Sequence, residues 1–120
     1  MGQRETHERH YRALRGDAYR LENSDEIRVE AFFLAAYQLI EGAAAAQGLH
    51  IQKHQDVRRE LEANPFVFQG ETEAIWRAFQ ELESRVRPRV VYGSTWTPAD
   101  VEKARELFEL IERICTGVRP

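Results

Sequence analysis

The run AFFLAAYQLIEGAAAA, from Ala31 to Ala46, constrains the chain more than any other stretch. Gln38 and Glu41 are its only strongly polar members, so it is too long for an ordinary strand and rich in strong helix formers. A helix that is apolar nearly all round belongs in the middle of other helices. It is interrupted by Glu41 and Gly42 and falls short of the roughly 20 apolar residues of a membrane span. The natural reading is the central helix of a soluble all-α bundle, with no membrane partner.

A chain of 120 residues makes one domain, residues 1–120, large enough for a single core. The net charge of −3 gives no global pull toward nucleic acid or an anionic membrane, although a local basic patch remains compatible with it. Cys115 is the only cysteine, which excludes an intramolecular disulfide and a cysteine metal cluster. The N-terminal MGQRETHERHYR is charged and has no apolar signal region, so a cytoplasmic protein is expected.

From Arg4 to Leu21 a polar helical segment carries Tyr11, Leu14, Ala18 and Leu21 on a narrow apolar stripe. His7 and His10 lie one turn apart there; without a third ligand they read as part of a solvated face rather than a metal site. Asn23 as N-cap with Glu26 three residues later opens the central helix, which runs from about Ser24 to Gln47 and ends at Gly48. Glu30 and Glu41 fall on one line of that helix, as an exit stripe or as the wall of a polar pocket. A short third helix turns His54 inward, and Asn64-Pro65 stops it. Phe66-Val67-Phe68 reads as a lid on the core. A fourth helix starts at Glu71 and carries Ile75, Trp76, Phe79, Leu82 and Val86, until Pro88 breaks or kinks it. Arg85, Arg87 and Arg89 gather at its end, and Val90–Trp96 is expected to be a loop. Thr97-Pro98-Ala99-Asp100 is the clearest helix start in the chain. The expected architecture is an up-and-down helical bundle of four main helices plus a short extra helix. No phosphate loop, dinucleotide fingerprint, zinc cluster or nucleophile elbow is present, so no metal and no cofactor is assigned.

The order of features resembles the HEPN superfamily, the higher eukaryotes and prokaryotes nucleotide-binding domain, and in particular its small stand-alone bacterial and archaeal members. The resemblance spans roughly residues 11–115. It rests on Gln47-Gly48-Leu49, Gln52-Lys53-His54 with Arg58 following, Leu82-x4-Arg87-x4-Tyr92, and the helix opened by Thr97-Pro98. It implies a bundle that dimerises, often beside a nucleotidyltransferase partner, and in many branches a metal-independent ribonuclease with an arginine and a histidine near the fourth helix. By position Arg87 matches the family arginine, Tyr92 stands where the histidine would be, Pro88 replaces the polar neighbour and Val91 the aspartate. A tyrosine, with a pKa of about 10, is a poor general base near neutral pH.

Three readings follow. The first is a non-catalytic, dimeric interaction module that binds a partner protein, a nucleotide or RNA, with Arg85, Arg87 and Arg89 facing phosphate. The second is a ribonuclease toxin of a toxin–antitoxin pair using Arg87 and Tyr92, with His54 as an unorthodox imidazole and Glu41 completing the pocket. The competing reading of His54 is a core histidine bonded to Glu41 or Tyr37. The third is a bundle that only self-assembles, through an apolar stripe such as Phe66–Phe68.

Overall fold

A computed structural model describes residues 3–117, with side chains from residue 5 onward, and every regular element in that range is helical. Residues 1–2, the start of the charged N-terminal segment, and residues 118–120 lie outside the described residues. The helices are α1 (Gln3–Tyr19), α2 (Asp25–Ala46), α3 (Val57–Ala63), α4 (Thr72–Glu81) and α5 (Pro98–Gly117).

The centre is α2, as its sequence demands. Val29, Ala31, Phe32, Phe33, Ala35, Ala36, Leu39, Ile40, Ala43 and Ala44 are all buried, leaving one partly open strip that carries Glu30, Gln38 and Glu41. It is long and apolar enough to cross a membrane by composition, yet 56% of its most apolar window is buried against its neighbours. Helix α1 lies along it through Tyr19 edge-on to Phe32, 5.2 Å between ring centres, and Arg28 donating to the Ala18 carbonyl at 2.8 Å. Helix α5 meets it through Phe32 and Phe108, 5.5 Å apart, and α4 through Phe33 and Phe79, stacked at 5.1 Å. Such aromatic contacts add about 0.5–1.5 kcal/mol each to the burial of the rings themselves.

The helix ends follow local chemistry, with one shift. Ser24, not Asn23, is the N-cap of α2: its Oγ accepts from the Ile27 N–H at 3.2 Å, while the Asn23 amide donates to the Asp17 carbonyl. Both are good capping residues, and the tight turn after α1 claims Asn23. Gly48 closes α2 at φ +87, a left-handed conformation that a side chain would strain. At α5 the Thr97 N–H donates to the Asp100 carboxylate at 2.9 Å, the reciprocal half of a capping box. Leu21 falls beyond the end of α1 and is 80% exposed, so the expected stripe stops at Ala18.

The largest departure from expectation is at Pro88. The fourth helix does not break there. It continues from α4 through two wide π-helical turns, Leu82–Val86 and Pro88–Tyr92, joined at Arg87. In an α-helix Pro88 would leave the Ser84 carbonyl without its N–H and press its ring against it. The wider spacing, in which the Arg87 N–H reaches the Leu82 carbonyl, lets the helix pass the proline. The segment expected to be a loop is therefore helical as far as Tyr92, and its Val90 is core. Gly93 ends it where a Cβ would lie 2.3 Å from the Arg89 carbonyl oxygen. In the Phe66–Phe68 lid, only Phe68 is fully buried; Phe66 is 86% exposed.

Candidate functional site

The π-helical turns put Arg87 against α2. Its Nε donates to one oxygen of Glu30 at 2.8 Å and its Nη2 to the other at 3.3 Å, the two-pronged geometry for which a guanidinium is suited. The guanidinium carbon lies 4.5 Å from the centre of the Phe33 ring, and Nη2 also reaches the Tyr92 hydroxyl at 3.4 Å. The hydrogen bonds to Glu30 hold Arg87 more firmly protonated than a free arginine, against the opposing effect of burial. Tyr92 itself is exposed.

His54 reaches the same aromatic floor from another direction. It opens the 3₁₀ turn before α3, and its ring stands edge-on to Phe33 at 5.1 Å and to Tyr37 at 6.1 Å. Its Nδ1 is 2.6 Å from Glu83, on the first π-turn. The inward orientation of His54 is therefore as expected, but its carboxylate is Glu83, not Glu41. Glu83 went unnoticed in the sequence, although it lies four residues before Arg87 and so on the same side of a helix.

Glu41 does not join this group. It lies three turns along α2 from Glu30, about 16 Å at 1.5 Å per residue, and faces α1, with His7 Nδ1 3.6 Å away. Burial raises its pKa above the usual carboxylate range, opposed by His7 and by the Tyr37 hydroxyl. Tyr37, whose hydroxyl donates to the Ile51 carbonyl at 3.3 Å, is pushed up to about 12, by burial first and by Glu41 second. His7 is consequently not part of a solvated face, being half-buried against α2.

The three arginines also separate. Residues two apart on a helix point to different sides, so Arg87 turns inward while Arg85 and Arg89 stay exposed. Arg89 lies 3.5 Å from Asp100 at the start of α5. The structure thus brings together Arg87, Tyr92 and His54 around Phe33, adds Glu30 and Glu83, and leaves Arg85, Arg89 and Glu41 elsewhere. No group of three or more metal-ligating side chains occurs among the described residues.

Chemically, the cluster holds one cation against two carboxylates, with an imidazole oriented by one of them. An imidazole fixed through Nδ1 leaves Nε2 as its working nitrogen. No family model, curated protein or solved structure matches the chain.

Proposed function

We propose that this protein is a HEPN-like up-and-down bundle acting as a non-catalytic, dimeric interaction module. The observation that carries this reading is the Arg87–Glu30 pair. The arginine placed by the resemblance at an RNA phosphate is already satisfied within the chain by two charged hydrogen bonds and an aromatic ring, and its neighbour Tyr92 is a weak base. The alternating course of the helices is supported by contacts running in opposite senses along α2: Glu30 to Arg87 and Tyr37 to Phe79 on one side, Arg28 to Ala18 and Gln38 to His7 on another.

A second copy is the partner that the surface around this pair suits best. Ile27 and Tyr92 are exposed beside it, with acidic Asp25 and Glu26 at the start of α2 and basic Arg85 and Arg89 on the π-turns. A two-fold axis through such a face sets the acidic end of one copy against the basic end of the other. Light scattering should give twice the chain mass at micromolar concentration, and Tyr92→Glu or Ile27→Glu should return it to the monomer mass. A wild-type monomer would count against the proposal.

A metal-independent ribonuclease is the second reading, favoured by the 2.6 Å contact of His54 with Glu83 beside the ring that Arg87 also covers. The deciding experiment incubates the protein with end-labelled single-stranded RNA in EDTA, beside Arg87→Ala and His54→Ala. Cleavage lost in Arg87→Ala selects this reading; no cleavage by the folded wild-type dimer selects the interaction module.

A further inference from the structure

A separate polar site lies between α1 and α2, well away from Arg87. The His7 ring packs onto α2 with 12% of its side chain exposed, and Gly42 makes the approach possible, since a Cβ there would lie 3.2 Å from the His7 Cβ. Nδ1 is 2.7 Å from the Gln38 side-chain oxygen. That oxygen only accepts, so Nδ1 is the donor and carries the proton. The other ring nitrogen, Nε2, is the one buried side-chain nitrogen or oxygen atom without a hydrogen-bond partner among the described residues.

Two independent features meet here. Buried polar atoms in folded proteins nearly always find a partner, in the protein or in ordered water. Against His7, Glu8, Tyr11, Gln38, Gly42 and Ala43 there is also a small, partly open cavity of about 10 Å³, to which the Glu8 carboxylate brings a second polar group. That is about the volume a single water needs.

We propose that His7 Nε2 binds one structural water molecule in this cavity, as a fixed part of the α1–α2 packing. Water suits the position because it can donate to the Nε2 lone pair and still accept from or donate to a second group. An anion is disfavoured because Glu41 lies 3.6 Å from the other ring nitrogen. An apolar occupant would leave Nε2 without a partner. The residue pattern fits: a histidine on α1 is matched on α2 by an acceptor at Gln38 and by a missing side chain at Gly42, one turn further on.

The test is made on the whole wild-type protein in water by NMR. Cross-peaks between the His7 ring protons and water, of opposite sign in NOESY and ROESY spectra, are expected for a water that stays longer than the protein tumbles. Oxygen-17 relaxation dispersion should then count one long-lived water fewer in His7→Leu than in wild type, with circular dichroism showing that the variant is folded. Absent or same-sign cross-peaks in the wild type overturn the proposal, as does an unchanged count in a folded His7→Leu. Should His7→Leu fail to fold, the wild-type spectra decide the question alone.

Discussion

Arg87 and Glu30, 57 positions apart in the chain, share two hydrogen bonds where the π-helical turns lie against α2, and the arginine covers Phe33 as it does so. The pair ties the far end of the fourth helix to the first third of the central one. Both side chains are largely withdrawn from water, with 18% and 32% of their surface exposed.

Removing the arginine should therefore cost more than a surface ion pair. Arg87→Ala leaves the Glu30 carboxylate without its partner and uncovers Phe33, for an expected loss of about 1–3 kcal/mol in urea unfolding. Arg87→Lys should recover only part of it, because an ammonium lacks the two-pronged geometry. A loss within about 0.5 kcal/mol for Arg87→Ala would make the contact a surface pair of no consequence.

Gly93→Ala should be among the most disruptive single-methyl changes in the chain. The added Cβ would meet a backbone carbonyl oxygen, that of Arg89, at 2.3 Å, and backbone gives way less readily than a side chain. A loss of about 1–3 kcal/mol is expected, with amide shifts in NMR centred on residues 87–93.

Glu41 provides a pH signature. Burial makes its folded pKa higher than the ordinary 4.5, so between these values the folded protein binds more protons than the unfolded chain. Its contribution to stability is thus fully present at low pH and is lost as pH rises through the folded pKa. Glu41→Gln removes this dependence, and the difference in urea midpoint between variant and wild type should move in favour of the variant from pH 4.5 to neutrality. A difference independent of pH would show that Glu41 has no raised pKa.

Alkaline titration should destabilise the contacts of α1. Tyr11 is pushed up to about 12, by burial first and then by its hydrogen bond to Glu112, and Tyr19 is raised in the same direction by burial and Glu109. Free phenols ionise near 10. Folded tyrosines that resist ionisation make stability fall as pH rises from about 10 toward 12. Most of the ultraviolet phenolate absorbance should therefore appear only together with loss of the helical circular dichroism signal; its full appearance near pH 10 with the fold intact would refute this.

Ser24→Ala should cost about 0.5–2 kcal/mol, the usual loss of a capping oxygen. Asn23→Ser, which leaves Ser24 in place, should cost less when both are measured by thermal unfolding. The reverse ranking would return the cap to Asn23.

The elements that were legible in the sequence are those whose signals are local. The apolar run of α2, the left-handed Gly48 and the Thr97-Pro98-x-Asp100 start of α5 each depend on a few adjacent residues, and each stands where the pattern puts it. Pro88 was misread because the rule that proline ends a helix supposes an α-helical register, and only packing of Val86 and Val90 into the core shows that a wider one is used. At the site, the inward turn of His54 was legible from apolar spacing. Its carboxylate was not, because which of Glu41 and Glu83 it meets depends on how far the connection after Gly48 carries the chain. Glu83 and Arg87 share a helix face at a spacing of four, a local signal in the sequence that places the carboxylate beside the arginine. His7 was misplaced for the same reason as Glu41: each is polar, and each is buried only because the other, with Gln38, is opposite it.

The π-turns of the fourth helix make residue number itself a structural variable. An α-helix advances about 100° around its axis with each residue and a π-turn advances less, so the five residues of Leu82–Val86 turn about as far as four would in an α-helix, and forcing the segment into an α-helix at its present length would swing everything beyond it by roughly one residue's angle. Arg87 would then face away from Glu30 with its chemistry unaltered. A chain one residue shorter here would hold the same arginine against Glu30 with an ordinary α-helical turn, so it is the match between the length of the segment and the width of its turn that sets this ion pair.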